Sequence, residues 1–371
     1  MPASRSDSVD TSVLALVAGL RQHYSDVVLP LWRTTGYNPE LQLPYEAVDS
    51  ARLQVMPVTR YRAMACARQL YVHTMAGATE HAARLFDSLR KRFAHSEGGW
   101  MYSIDAEGVA LDQTHDLYTY AFVIFACAAH YRVTRDRRAL DLLGETAGQV
   151  ETRFTAPAGL YWAQLKPDLS GPLLDVQQNP VMHLTEAYLA ARDATGDAGF
   201  TTALQRVIGG MARTFLHGPT QCITELRVGV PDNRIEPGHQ FEWLALARSA
   251  PDVFGDTVLG DALEHAFKFA QAQGVDMATD GVCAALDLRG EIIDPTQRIW
   301  AQTEYARALA VHGDPAVGAL LKRQLQRLRE RFLQPRGWYE CLDADGMVAR
   351  SDMPSTTPYH LATSYEALPA A

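Results

Sequence analysis

At 371 residues the chain is long enough to bury a substantial core, as one large domain or two ordinary ones. Its composition, 47% apolar and 21% charged, is that of an ordinary globular protein. A net charge of −9, with no basic run and no Lys/Arg patch interleaved with aromatics, argues against nucleic acid as a partner.

The first ten residues are polar and lack an apolar core, so no signal peptide is expected. No apolar run approaches bilayer-spanning length, so no membrane is expected either. Cys66, Cys127, Cys222, Cys283 and Cys341 are odd in number, scattered and without CxxC spacing. They read as reduced, mostly buried thiols of a cytoplasmic protein.

Taken in order, twelve stretches show apolar residues at helical spacing. They lie near 11–34, 59–77, 79–94, 116–132, 137–154, 182–195, 198–215, 239–249, 257–273, 297–312, 315–333 and 360–370. Every sixty residues or so, a helix ends in a basic or polar residue and Phe before a glycine turn. These are Arg92-Phe93, Arg153-Phe154, Thr214-Phe215, Lys268-Phe269 and Arg331-Phe332. Short strand-like arms closed by Asp-x-x-Gly follow at Asp105–Gly108, Asp287–Gly290 and Asp343–Gly346.

Six helix pairs at this period could stack as an open solenoid or close into a toroid. Thr119–Ala129 and Leu184–Ala191 are apolar nearly all round, which suits an inner ring better than an exposed face. The expectation is therefore an all-α closed ring, one domain over residues 1–371, with short β-arms in its loops.

The presumed inner helices begin with unusual polar residues. They include Arg68, His115-Asp116, Asn179 with His183 and Glu186, His239 with Glu242, Arg298 with Gln302 and Glu304, and Tyr359-His360. His183/Glu186 and His239/Glu242 share one spacing, three apart on one helical face. Alone, each such residue is usually structural. Converging on one rim of an apolar ring, they would form a site, because buried ionisable groups are costly unless paired.

Neither HExxH nor an Asp-rich calcium loop is present, which argues against a metal. GxGxxG, GxxxxGK[ST] and GxSxG are also absent, which argues against nucleotide binding and a serine hydrolase. A glycoside hydrolase needs two facing carboxylates, and Glu186, Glu242, Glu304 and Asp116 leave that reading open.

Six segments together resemble the N-acylglucosamine 2-epimerase superfamily. They are Ala67-Arg68-Gln69-Leu70-Tyr71, Leu117-Tyr118-x-x-Ala121-Phe122, Asn179-x-x-Met182-His183-x-x-Glu186-Ala187, Gly238-His239-x-x-Glu242-Trp243, Trp300-x-Gln302-x-Glu304 and Tyr359-His360. They stand in the family's order, and the resemblance spans essentially the whole chain.

The resemblance implies an (α/α)6 barrel that moves a proton on an open-chain sugar with no cofactor and no metal. It implies that His239 and His360 are the acid/base pair, that Arg68 meets the sugar oxygens and that His183 is a further polar contact. It also implies that Glu242 orients His239. Tyr118, Asn179, Glu186, Trp300 and Glu304 complete the expected substrate-binding set. Met64 stands where the family often has Trp, and Thr119-Tyr120 where it often has Asp-His, which bears on the identity of the sugar.

The chemistry matches this inventory. The C2 proton of an aldose is acidic only beside an open C1 carbonyl, so an imidazole base and a guanidinium facing the enediolate oxygens are what the reaction needs. Returning the proton to C1 gives a ketose, and returning it to the other face of C2 gives the epimer. Segments 98–105 and 115–122 look closer to the mannose-isomerase branch. The expectation is a D-mannose/D-fructose isomerase acting on a monosaccharide as a monomer or homodimer. A sugar 2-epimerase of mannose/glucose, N-acylglucosamine or cellobiose type is the alternative, with a helical-barrel glycoside hydrolase or a non-catalytic sugar-binding ring further off.

Overall fold

The computed structural model describes residues 11–370; the polar start at Met1–Asp10 lies outside them. Twelve principal helices run through the described residues. They are α1 (Thr11–His23), α2 (Ala63–Met75), α3 (Thr79–Arg92), α4 (Leu117–Thr134), α5 (Arg137–Arg153), α6 (Gln178–Thr195), α7 (Ala198–Phe215), α8 (Pro237–Ser249), α9 (Val258–Gly274), α10 (Ile299–Val311), α11 (Leu321–Arg331) and α12 (Thr357–Ala367). A π turn, Tyr24–Val28, carries α1 on into a short helix, Leu29–Arg33. All twelve coincide with the periodic stretches, their ends differing by a few residues.

The even-numbered helices form an inner ring in which each packs on the next and α12 returns to α2. Helices α3, α5, α7, α9 and α11 each lie outside their inner partner, and α1 packs on α11 and α12. The sixth pair therefore joins the two ends of the chain. Burial follows this arrangement. Apart from Tyr118, α4 is buried continuously from Leu117 to His130, whereas outer α11 buries only Leu321, Gln324, Leu325 and Leu328. None of the described helices is long and apolar enough to cross a membrane. The five cysteines are buried and unpaired with one another.

The arms are β-hairpins at one rim: Ser103–Ile104 with Ala110–Asp112, Ala285–Leu286 with Ile292–Asp294, and Cys341–Leu342 with Val348–Arg350. At each turn the Asp carboxylate accepts backbone N–H groups, as Asp105 does from Glu107 and Val109, and the glycine takes a positive φ. A fourth hairpin, Gln164–Leu165 with Pro172–Leu174, was not expected, although Asp168-Leu-Ser-Gly171 carries the same signature.

Isolated bridges follow the outer helices at Ala94, Thr155, Leu216 and Val275, and a short strand pair follows α11 at Leu333. Buried Phe93, Phe154, Phe215 and Phe332 precede four of them. The fourth repeat needs correction: the residue before its bridge is Gly274, not Phe269. A Cβ on Gly274 would meet Pro237 at 2.5 Å, so the first turn of α8 occupies that space.

One buried group outside the ring's centre has a measurable consequence. His73 on α2 is fully buried, neither ring nitrogen has a hydrogen-bond partner among the described residues, and its ring meets His81 edge-on at 4.4 Å. Burial, reinforced by His81 and Arg33, draws its pKa down to about 2, and burial draws His81 down to about 4.

The unfolded chain binds these protons near pH 6.5 and the folded chain does not. Their contribution is thus intact above 6.5 and is lost as pH falls toward the folded values. The melting temperature should drop between pH 7 and pH 5, and it should drop less in His73→Leu. Parallel slopes for the two proteins in a thermal-melt series would exclude this source.

Candidate active site

The helix starts expected to converge do so at the rim that carries the hairpins. His239 lies in the first turn of α8, Trp300 in the first turn of α10 and His360 near the start of α12. The Trp300 ring meets both imidazoles, with centroids 5.0 Å from His239 and 5.6 Å from His360. His183 on α6 is 6.5 Å from His360 and 4.8 Å from Tyr118 on α4. Arg68 on α2 donates to the Tyr118 hydroxyl at 2.6 Å and to the Thr356 carbonyl at 3.4 Å, and its guanidinium lies 4.1 Å from the Phe122 ring. Its Nε is buried without a partner among the described residues.

Space at the centre depends on Gly238. A Cβ there would meet the Trp300 indole at 2.7 Å, so only glycine leaves room for that ring beside His239, tilted 35° to the imidazole. Five of the six inner helices start without a side-chain cap; only α4 has one, from Asp116. The first N–H groups of two of these helices go instead to backbone carbonyls, Ala63 to Tyr102 and Ile299 to Glu340, both at 3.1 Å. The positive dipole ends of the inner helices face the rim, which favours negative charge developing there.

The two histidines have opposite surroundings. His360 Nδ1 is 2.9 Å from Glu304 Oε1, and Nε2 has no partner among the described residues. Burial, helped by Arg68, pushes His360 well below the usual imidazole range. Burial also lifts Glu304 to about 7 against the pull of Arg307. The neutral ring therefore carries its proton on Nδ1, donates it to Glu304 and leaves a lone pair on Nε2.

His239 Nδ1 instead donates to Glu225 Oε1 at 2.7 Å, with Glu236 Oε2 at 3.6 Å. Burial alone would lower its pKa, but Glu225 and Glu236 outweigh burial and raise it to about 9. It is an imidazolium at neutral pH. Trp243 Nε1–H fixes the Gln178 amide by donating to its Oε1 at 3.0 Å, so the Gln178 NH₂ turns to both Glu225 oxygens at 3.0 Å.

The expectation that Glu242 orients His239 is therefore corrected: Glu225 does so. Glu242 lies one turn deeper, where it faces His183 Nδ1 at 3.8 Å, and both its oxygens lack a hydrogen-bond partner among the described residues. Burial, with Glu304 and Glu186 nearby, keeps it protonated well above the usual carboxylate range. The same three-residue spacing behaves differently at His183, whose Nδ1 lies 3.5 Å from Glu186. Burial lowers His183 to about 4, and it stays neutral.

Beneath them Arg307, unremarked in the sequence, reaches Glu304 Oε2 at 3.3 Å and Glu186 Oε1 at 3.6 Å. Burial opposes ionisation of Glu186, but His183 and Arg307 outweigh it and lower its pKa to about 2. The Tyr359 hydroxyl also donates to Glu186.

Arg68, Tyr118, His183, Glu186, Glu242, Trp300, Glu304, His239 and His360 thus form one connected cluster. Asn179 is in the first turn of α6 beside Gln178, its Oδ1 buried and unpartnered among the described residues. Other expected members stay out. His115 bonds the Tyr120 hydroxyl and lies 3.2 Å from the Pro167 carbonyl, Asp116 caps α4, and Gln302 holds the backbone of Val282. Glu225 was missed because its loop has no periodicity to mark it.

Three groups of side chains are close enough to share an ion: His183 with Glu186 and Glu242; Glu225 with Glu236 and His239; and Glu242 with Glu304 and His360. Arg307 and protons already balance the carboxylates of the first and third, and the His239 imidazolium together with Arg234 those of the second.

A family model described as N-acylglucosamine 2-epimerase (GlcNAc 2-epimerase) matches residues 48–364. The chain is 28% identical over 367 residues to a mannose-6-phosphate isomerase of Rhizobium meliloti (strain 1021), covering 91% of this chain and 92% of that protein. A solved D-mannose isomerase superposes with a TM-score of 0.81 at 20% identity, covering 98% of this chain and 99% of that one. The cellobiose 2-epimerase of Bacillus thermoamylovorans B4167 superposes with a TM-score of 0.85 at 18% identity, covering 95% and 98%.

Proposed function

This chain belongs to the N-acylglucosamine 2-epimerase family, and from that premise we propose that it is a metal-independent aldose–ketose isomerase interconverting D-mannose and D-fructose. The coarser statement, that it is an enzyme of the sugar isomerase and epimerase class acting on a sugar, follows from its relatives. The observation that supports the finer reading is the pair of imidazoles that both meet the Trp300 ring, one neutral and one protonated.

His239, as the acid, donates from Nε2–H to the ring oxygen as the bond from C1 to that oxygen breaks. It takes back the O1 hydroxyl proton as the C1 carbonyl forms, so the sugar opens and the imidazolium is restored. It then hydrogen-bonds O1 of the aldehyde. His360 Nε2 takes the C2 proton, and the C2–H electron pair becomes the C1–C2 double bond of an enediolate. Its negative oxygen is met by Arg68 and by the His239 imidazolium. Glu304 stabilises the imidazolium that forms on His360, as a carboxylate behind a catalytic histidine does elsewhere. After exchange with solvent, His360 delivers a proton from Nε2 to C1, while the His239 imidazolium protonates O1 and takes up the O2 hydroxyl proton as the C2 carbonyl forms, which leaves the ketose.

An uncharged sugar suits this site better than a phosphorylated one. Glu186, Glu225, Glu236, Glu242, Glu304 and Glu340 surround it, and rim Arg234 and Arg298 already face Glu236 and Glu340. Incubation with D-mannose in deuterium oxide should give fructose labelled at C1, and mannose 6-phosphate should turn over much more slowly. Labelled glucose would instead establish the 2-epimerase. Absence of any exchange at C1 or C2 would overturn the proton-transfer reading, leaving a glycoside hydrolase or a sugar-binding ring.

A further inference from the structure

Among the polar groups that touch the candidate site, the loop between α7 and α8 contributes one that the family motifs did not mark. Glu225 lies fourteen positions before His239, on a segment with neither helix nor hairpin. Its backbone is nevertheless fixed. Asn233 folds the loop on itself: its Oδ1 accepts the N–H of Leu226 at 2.9 Å, and its Nδ2 donates to the carbonyls of Leu226 at 2.7 Å and Arg227 at 3.1 Å. The Glu225 N–H donates to the Arg234 carbonyl at 3.0 Å, and the Thr224 hydroxyl to the Leu226 carbonyl at 2.7 Å. Two side chains within one loop thus close it into a rigid bracket, and the carboxylate it presents is buried.

That carboxylate is also aimed. One oxygen takes the His239 Nδ1–H at 2.7 Å, and both take the Gln178 amide, which Trp243 holds from behind. Glu236 is the rival for this role, but it is farther, at 3.6 Å, and its Oε1 is engaged by Arg234. Glu242 is the other carboxylate facing His239 on its own helix, and it is held protonated. From α10 and α6 the ring meets only neutral groups among the described contacts: Trp300, and the Gln178 amide, whose Nε2 stands 2.8 Å from Nδ1 as a second donor to Glu225.

Resting on the reading of His239 as the acid, we propose that Glu225, held by Asn233 and Gln178, is the positioning residue that keeps His239 with Nδ1–H toward the loop and Nε2–H toward the substrate. The physical need is specific. The positive dipole end of α8 disfavours an imidazolium in its first turn, so a directly bonded, water-excluded carboxylate must outweigh it.

Glu225→Gln keeps the shape but not the charge. The expected result is a loss of kcat of about 100-fold with KM changed far less. The alkaline limb of the kcat/KM profile should also move down by one pH unit or more, because the ring loses its proton earlier. Glu225→Asp should restore part of both. Asn233→Ala, which leaves the carboxylate but loosens its bracket, should lower kcat without moving that limb as far.

A purely structural Glu225 would lower the melting temperature and the active fraction but leave the limb where it was, and an unmoved limb in Glu225→Gln overturns the proposal. The outcome is separable from the function itself. Wild-type enzyme that exchanges deuterium into the sugar upholds the isomerase reading whatever Glu225→Gln does, whereas wild-type enzyme with no exchange fails before Glu225 is tested.

Discussion

His360→Asn is expected to lower kcat on D-mannose by about 1,000-fold or more, while KM changes far less. Asparagine preserves a donor toward Glu304, so the buried carboxylate keeps a partner and the chain should fold. What disappears is the Nε2 lone pair, the only one at the site presented by a neutral ring whose other nitrogen is tied to a carboxylate. His183 is also neutral, but its nearest carboxylates stand at 3.5 and 3.8 Å, and among the described residues its Nδ1 has no hydrogen bond to fix the tautomer. It should not substitute.

Deuterium exchange into unreacted mannose must fall in parallel with fructose formation, since both need the C2 proton removed. If exchange persists while fructose formation is lost, His360 serves a later step and the base lies elsewhere. Turnover within about tenfold of wild type, in a variant with an unchanged melt, would remove His360 from the reaction altogether.

The largest effect on stability is expected at Arg307→Met, a loss of about 3–5 kcal/mol. This guanidinium is all but enclosed, with a side chain 12% exposed, and it faces two buried carboxylates at once. Removing it leaves Glu186 and Glu304 charged in an apolar ring, or forces them to take up protons. The sign of the pH dependence follows. Both carboxylates would then titrate above their unfolded values, so the folded variant binds extra protons and its deficit grows as pH rises from 5 to 8. Thermal melts at those two pH values check this.

Arg307→Lys should recover only part of the loss, because an ammonium lacks the planar fork that reaches two acids. Adding Glu186→Gln to Arg307→Met should narrow the alkaline deficit by removing one of the two stranded charges. A deficit independent of pH would show that packing, not charge, is what Arg307 supplies.

The helices and hairpins were legible because their signals are local. A 3.6-residue period marks a helix wherever it lies, and an Asp whose carboxylate accepts the N–H groups of its own turn marks a hairpin tip without reference to the rest of the chain. The closed ring was legible too, since α4 is apolar on every side and only an enclosed position suits that. Lys268-Phe269 misled because a motif match of roughly the right period cannot show that Pro237 fills the phenylalanine's usual place at Gly274.

Pairings between elements behaved differently. Three-residue spacing fixes that His239 and Glu242 share a helix face, but not what each one meets. His239, in the first turn, looks outward to the α7–α8 loop, while Glu242, a turn further in, looks across the axis to His183. Arg307 resembled any basic residue near a helix end until the ring closed over it.

From the sequence alone came the twelve helices, their closure into a ring and the set of polar residues gathered at one rim. These follow from periodicity and burial, which each segment carries within itself. The tertiary structure alone decided which carboxylate holds which imidazole, and with it which histidine is charged. That depends on the course of loops and on which buried charges face one another across the axis, and no stretch of chain encodes either by itself.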